Sequence, residues 1–270
     1  MKSNPIFVSL ADLAQLISDG DKIAIPKDTS GVAMSATKEL VKRRPKNLHL
    51  VCVPIGGIQA DILIGAGLVS TVESSAITLG EYGIGPRFSQ LLKSNEIKML
   101  DSTCPAIYAG LQASEKGIPF IPLRGIIGSD LLENRSDWKL GENPFSEDDP
   151  IVFLKAIRPD VCLFHAHSAD KYGNVFVGRN RDLITLAHAS ARTLITVEQI
   201  IDDDFLSDNL RAGATLPAIY TSAISVAERG AEPLAFGEDY PEDQEFLTKY
   251  SIAAKTQSGF EKFISSWLSA

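Results

Sequence analysis

The sequence lacks most of the features that mark secreted, membrane-spanning and nucleic-acid-binding chains. Cysteine is scarce: Cys52, Cys104 and Cys162 are three in 270 residues, odd in number and without close spacing. That excludes a disulfide framework and reads as reduced thiols of a cytoplasmic protein. No apolar run reaches the roughly 18 residues a membrane span needs. The opening segment MKSNPIFVSL lacks the long apolar core of a signal peptide. Basic residues number 26 against 34 acidic ones, a net charge of -8. This balance argues against nucleic acid or an anionic membrane as the main partner. No Cys or second His cluster has the spacing of a metal site, so none is expected. The dinucleotide fingerprint GxGxxG in a strand-to-helix context, the phosphate loop GxxxxGK[ST] and the nucleophile elbow GxSxG are all missing. No internal repeat of fixed short period stands out.

What is present is ordinary for a globular chain: 44% apolar and 22% charged residues. The length suits one large α/β domain or two small ones, and we take residues 1–270 as one domain. Strand-loop-helix-strand units follow one another, which points to an open, mostly parallel sheet with flanking helices. Ser9 caps a helix over 10–17. A strand over 22–25 ends before Pro26, which donates no backbone hydrogen bond. A helix over 33–44 leads to a buried strand at 48–53. A helix over 60–65, a strand over 69–76, a helix over 86–94, a strand over 97–100 and a helix over 105–116 continue the pattern. Two prolines make 117–122 an extended edge or loop. Residues 124–149 are the longest break in periodicity. Their Ile126, Ile127, Leu131, Leu132, Trp138 and Phe145 suggest a loop packed over a site or a partner. A strand at 151–156, a helix over 183–190, a strand at 194–197 with Glu198 just beyond, a strand pair over 217–226 and a helical tail over 241–268 complete the reading.

The stretch Asp160–Arg179 concentrates polar chemistry. Val161-Cys162-Leu163-Phe164 suits a strand buried on both faces. His165 and His167 follow at period two, on one side of the strand. A turn through Asp170, Gly173 and Asn174 precedes a return strand at Val175. Rigid sheets aim such corners at ligands, yet half-buried histidines at a strand end explain the same spacing. Asp202-Asp203-Asp204 reads as a solvated start of a helix or loop. Two further places offer ligand groups. Thr29, Ser30 and Gly31 lie in a strand-to-helix loop, where hydroxyls and amides either hold an oxygen or cap the helix. Gly80, Gly83 and Gly85 form a glycine-rich helix entry beside Glu81 and Arg87, a place that favours an anion.

Several segments, in this order, resemble a known family. They are Ile62-Leu63-Ile64-Gly65-Ala66-Gly67, Gly117-Ile118-Pro119-Phe120-Ile121-Pro122, Phe164-His165-Ala166-His167 with Asp170 and Gly173-Asn174-Val175, Thr193-Leu194-Ile195-Thr196-Val197-Glu198-Gln199-Ile200, and Gly230-Ala231-Glu232-Pro233 with Tyr240. From about Leu10 to Leu268 the chain resembles the A (alpha) subunit of family I coenzyme A transferases, of the glutaconate CoA-transferase type. The resemblance implies an open α/β fold and a two-subunit enzyme that moves CoA from an acyl-CoA to a carboxylic acid. It implies a glutamate nucleophile on a partner B (beta) subunit, forming a glutamyl-CoA thioester. CoA is then a substrate, and no permanently bound cofactor is expected. Thr29, Ser30, Gly31 and the loop of Gly80, Gly83 and Gly85 would line the acyl site. His165, His167, Asp170 and Asn174 would shape the corner beneath it.

One departure stands out. Pro26-Lys27-Asp28 replaces the family's glycine-rich turn, so an oxyanion role shifts to Lys27, Thr29 or Ser30, or is lost. Relatives of this architecture include hydrolases that open rings in CoA thioesters, where Glu81 would serve as the catalytic base. A non-catalytic ligand-binding module of the sugar-phosphate-sensing folds is a third reading.

Overall fold

The computed structural model of the chain describes Ile6 to Ser269. Met1–Pro5 and Ala270 lie outside the described residues, and with them the first half of the segment MKSNPIFVSL. In chain order the strands are β1 (Ile6–Phe7), β2 (Lys22–Pro26), β3 (Leu48–Val53), β4 (Val69–Ser74), β5 (Lys98–Asp101), β6 (Phe120–Leu123), β7 (Trp138–Glu142), β8 (Pro150–Lys155), β9 (Val161–Asp170), β10 (Val175–Phe176), β11 (Arg192–Ile201), β12 (Thr215–Leu216) and β13 (Ala223–Val226). The helices are α1 (Leu10–Gln15), α2 (Met34–Arg43), α3 (Ile58–Gly65), α4 (Pro86–Lys93), α5 (Cys104–Glu115), α6 (Leu131–Asn134), α7 (Asp182–Ala189), α8 (Gln244–Ala253) and α9 (Gln257–Ser269).

The main sheet runs β1-β13-β11-β9-β2-β3-β4-β5, and every pair along that path is parallel. The antiparallel β10 and β12 attach beside β9. Helices cover both faces. One core gathers α1, α2, α3 and the terminal helices around Ile23, Leu50 and Leu163; the other gathers α5 and α7 around Val51, Phe164 and Ile195. Burial on both faces is why the central strands read as continuous apolar runs. Ser9 caps α1 as its spacing predicts, accepting the Asp12 N–H at 3.1 Å.

Several expectations are corrected. Pro26 does not end β2 early; it is the last residue of the strand, opposite Val53, where the missing N–H matters least. β9 carries both histidines, as their spacing implies, and runs on to Asp170, held along its length by β11. Glu198 lies inside β11 rather than beyond it. Residues 217–226 hold one strand and a short 3-10 turn, not a strand pair. The tail is two helices broken at Ala254. Residues 124–149 are structured: β7 pairs with β8, and β8 with β6, in a small antiparallel sheet. Trp138, Val152 and Leu154 of that sheet pack with Ile126 on Ala106 and Ala109 of α5. Among the described residues no helix is long and apolar enough to cross a membrane.

Helices α4 and α8 are fastened by one carboxylate. Asp61 of α3 is fully buried and accepts the N–H groups of Arg87 and Phe88, at 3.3 and 2.8 Å, which start α4. It also accepts the Tyr250 hydroxyl of α8 at 2.7 Å. The carboxylate thus does for α4 what a cap residue does, from another helix. Asp61→Ala removes this cap and strands the Tyr250 hydroxyl, and should cost about 2–3 kcal/mol. Urea denaturation measures this; a loss under about 0.5 kcal/mol would contradict the role given to Asp61.

Candidate functional site

The strand order reverses at β2. Its successors β3, β4 and β5 extend to one side, and β9, β11 and β13 lie on the other. At such a switch point the loops leaving the carboxyl ends part, and ligands of open α/β sheets bind in the gap. A cavity of about 670 Å³ occupies this place. Its walls are Lys27, Asp28 and Thr29 after β2, Ile55 to Ile58 after β3, Thr78 to Tyr82 after β4, and Leu234, Ala235, Gly237 and Glu242 from the long segment after β13. The size suits a small organic ligand.

Of the residues read from the sequence as site candidates, Thr29, Gly80 and Glu81 line this cavity. The others do not. Ser30 is buried, with its N–H bonded to the Lys27 carbonyl at 2.9 Å, so that amide is not free for an oxyanion. Gly31 has φ +83°, and a Cβ there would collide with the His165 carbonyl of β9. Gly31 therefore serves close loop-to-strand packing. Gly83 takes φ +98° after the 3-10 turn Gly80–Tyr82, and Gly85 precedes α4 against Asp61 and Ile77. Neither lines the cavity.

The corner after β9 is real, but its polar atoms hold the fold. Asp170 accepts the N–H groups of Tyr172, Asn174 and Phe205 at 2.9, 2.9 and 3.0 Å, and the Asn174 amide at 2.7 Å. Asn174 in turn accepts the Ala218 N–H at 2.8 Å. His165 and His167 do share a side of the strand, for both rings rest on Phe236, with centroids at 4.7 and 4.4 Å. They face different acids. His167 Nδ1 is 2.9 Å from Asp239, and His165 Nε2 is 2.7 Å from Glu198.

Glu198 is the residue that sequence reading undervalued. Its Oε1 also accepts the Tyr240 hydroxyl at 2.8 Å, and its Oε2 accepts the Arg229 N–H at 2.6 Å. Burial pushes its carboxyl up, but the bonds from His165, Tyr240 and Arg229 outweigh burial and bring it down to about 2. Burial lowers the His165 value, so the ring is neutral and donates Nε2–H to this carboxylate. Its Nδ1 then accepts from the Thr196 hydroxyl at 2.8 Å. The network anchors the start and end of the segment whose Leu234 to Gly237 form one cavity wall. Sequence supplied a signal only through Glu198 and Tyr240 as separate points, because their meeting depends on a loop without periodicity.

Asp28 is the second residue of consequence. It lines the cavity, and its carboxyl lies so close on Gly57 that a Cβ there would collide with it. Oδ2 accepts the Ile58 N–H at 3.1 Å, while the buried Oδ1 finds no hydrogen-bond partner among the described residues. Burial pushes the carboxyl up to about 7; the Ile58 N–H opposes the rise and the charge of Glu242 adds to it. A larger groove of about 1370 Å³ lies between α2, α4 and α9, but none of the predicted site residues line it.

A doubly covered parallel sheet with a ligand-sized cavity at its switch point defines an open α/β protein with its site at the strand ends. The chain belongs to the coenzyme A transferase family, whose sequence model matches residues 7–225. Among its relatives is the A subunit of 3-oxoadipate CoA-transferase from Pseudomonas knackmussii, 27% identical over 94% of this chain and 90% of the relative. The A subunit of glutaconate CoA-transferase from Acidaminococcus fermentans is 26% identical over 95% of this chain and 85% of the relative. The crystal structure of glutaconate coenzyme A-transferase from that organism superposes with a TM-score of 0.90 at 25% identity, covering 97% of this chain and 88% of that chain. The decarboxylase AibA/AibB superposes at 0.88 with 26% identity over the whole of both chains. Against an uncharacterized relative from Archaeoglobus fulgidus, the chain spans about half the length, 53%. The expectation of an open, mostly parallel α/β fold of this family is borne out.

Proposed function

We propose that this chain is the A subunit of a heteromeric enzyme that moves CoA between an acyl-CoA and a carboxylic acid. A partner B subunit supplies the attacking glutamate, and this chain supplies the acyl site. The observation that carries the reading is the cavity at the β2 switch point, in a fold that matches glutaconate coenzyme A-transferase over nearly its full length. Lys27 and Thr29 bring a cation and a hydroxyl to that cavity, suited to a carboxylate or thioester oxygen. CoA enters as substrate and leaves as product. The test is CoA exchange from glutaryl-CoA to acetate, with this chain alone and together with a B subunit of the glutaconate CoA-transferase type. Exchange should need both chains, and hydroxylamine should intercept a glutamyl-CoA adduct on the partner. Turnover by this chain alone would overturn the division of labour.

A second reading is favoured by one observation, the acidic lining. Asp28, Glu81 and Glu242 share the cavity with Lys27, a composition also suited to proton transfer on a bound CoA thioester. In a hydrolase or ring-opening enzyme of this fold, Glu81 is the exposed carboxylate placed to act as base. Hydrolysed or ring-opened product without any adduct would select this reading over transfer.

A further inference from the structure

We propose that Asp28 is a ligand-binding acid, whose neutral carboxyl donates its proton in a hydrogen bond to an oxygen of the carboxylate or acyl group that occupies the cavity. This rests on the reading of the cavity as an acyl site. The geometry is specific. Asp28 sits at the carboxyl end of β2, at the switch point, and forms part of the cavity wall. One carboxyl oxygen is engaged by the Ile58 N–H, while the other is buried and lacks a partner among the described residues. A buried polar atom left unpaired destabilises the fold, and a ligand oxygen arriving beside it relieves that cost. Gly57, without a Cβ, lets the carboxyl lie flat against the β3–α3 loop. Any larger residue there would displace it.

The surroundings decide which form of Asp28 is useful. Glu242 and Glu81 face the same cavity, with Lys27 as the cation among the lining residues. Beneath it lies the buried Cys52, whose thiol burial keeps neutral. Glu242 is 3.4 Å from the Tyr82 hydroxyl, at the cavity rim. An ionised Asp28 would add a third negative charge and repel a carboxylate. A neutral Asp28 removes that repulsion and presents a donor where Pro26 has no N–H to offer. An amine ligand would prefer the ionised form, so the direction of the pH dependence separates the two chemistries.

The test uses this chain purified with its partner, and butyrate as probe, which is ionised throughout the range. Calorimetry at pH 6 and pH 8 should show binding weakened about tenfold at the higher pH, the fall in neutral fraction for a group titrating near 7. Asp28→Asn keeps an N–H donor and cannot ionise, so its affinity should be flat with pH. Asp28→Ala should bind at least tenfold more weakly at pH 6. Difference infrared spectra should show a carboxylic acid C=O band at pH 6 that is lost at pH 8 and missing in Asp28→Asn. Butyryl-CoA in place of butyrate tells whether a free carboxylate or a thioester oxygen is the preferred acceptor. Butyrate that fails to bind at pH 6, a wild-type affinity flat with pH, or an Asp28→Asn variant that keeps the slope would each overturn the assignment. Intact, pH-dependent binding without CoA exchange would sink the transferase reading and leave Asp28 in place.

Discussion

Asp28→Asn should make the chain more stable at pH 8 by about 3–4 kcal/mol, and by only about a third of that at pH 5. The sign follows from where the proton sits. In the unfolded chain an aspartate titrates near 3.9; in the fold, burial pushes Asp28 up to about 7. Below both values the group is neutral in both states and costs nothing. As pH rises from about 4 to 7, the unfolded chain releases a proton that the folded chain holds, so stability falls. Above 7 the penalty is fully developed, because the fold must then carry a buried carboxylate with Oδ1 unpaired. An asparagine of the same shape carries no such charge. Urea denaturation at pH 5 and pH 8 measures the difference. An equal effect at both pH values, or a loss of stability at pH 8, would contradict it. A residue that weakens its own fold at neutral pH is expected where selection acts on ligand chemistry instead.

The elements of this fold were legible wherever one physical signal dominated. Apolar runs such as Leu48–Val53 and Val161–Phe164 are strands because helices cover both faces of the sheet. Ser9 and the glycines and prolines that punctuate the helices are local signals and need no tertiary context. The early end read for β11 has a tertiary cause. β11 carries Glu198 and Gln199 on a strand that reads as ending at Val197, and pairing from Thr196↔His165 to Ile201↔Asp170 keeps it extended. Tertiary pairing there overrides local polarity. The cavity was half legible. Thr29, Gly80 and Glu81 were read from two loops, but the wall from Leu234 to Gly237 has no periodic pattern to betray it. Asp28 was visible as a departure from a glycine-rich turn. Its meaning as a buried, unpaired carboxyl depends on Gly57 and Ile58, 29 and 30 residues further along the chain.

Arg135→Ala should cost about 3–5 kcal/mol, the range for breaking a buried ion pair from one side. Arg135 caps α6 and reaches the edge of the main sheet. Its Nη2 is 2.7 Å from Glu73 of β4, its Nη1 donates to the Asp101 carbonyl of β5 at 3.1 Å, and its Nε is 2.8 Å from Asp137. The guanidinium lies 4.2 Å over the Trp138 ring of β7. Both Arg135 and Glu73 side chains are almost wholly buried, at 2% and 3% exposure, so solvent does not screen the pair. This one side chain therefore ties the small sheet to the edge of the large one. Burial pushes the Glu73 carboxyl up, but the His49 side chain and the Arg135 charge prevail and hold it below its ordinary value. Stability from a carboxyl held down is present above its unfolded value and lost as pH falls through the folded one. Removing Arg135 leaves the His49 ring, 3.3 Å from the other oxygen, and the charge of Lys22 as the groups that still act on it. Burial then dominates, and the variant's deficit should shrink as pH falls and Glu73 takes up a proton. Glu73→Gln in the Arg135→Ala background should recover at least about 1 kcal/mol by removing the stranded charge, and it also serves as the measurable variant if the single one does not fold. Urea denaturation across pH 4–8 reads both effects. A single-variant cost below about 1 kcal/mol, or a double variant no more stable than the single one, would show that the two sheets are held together by the Trp138 packing rather than by charge.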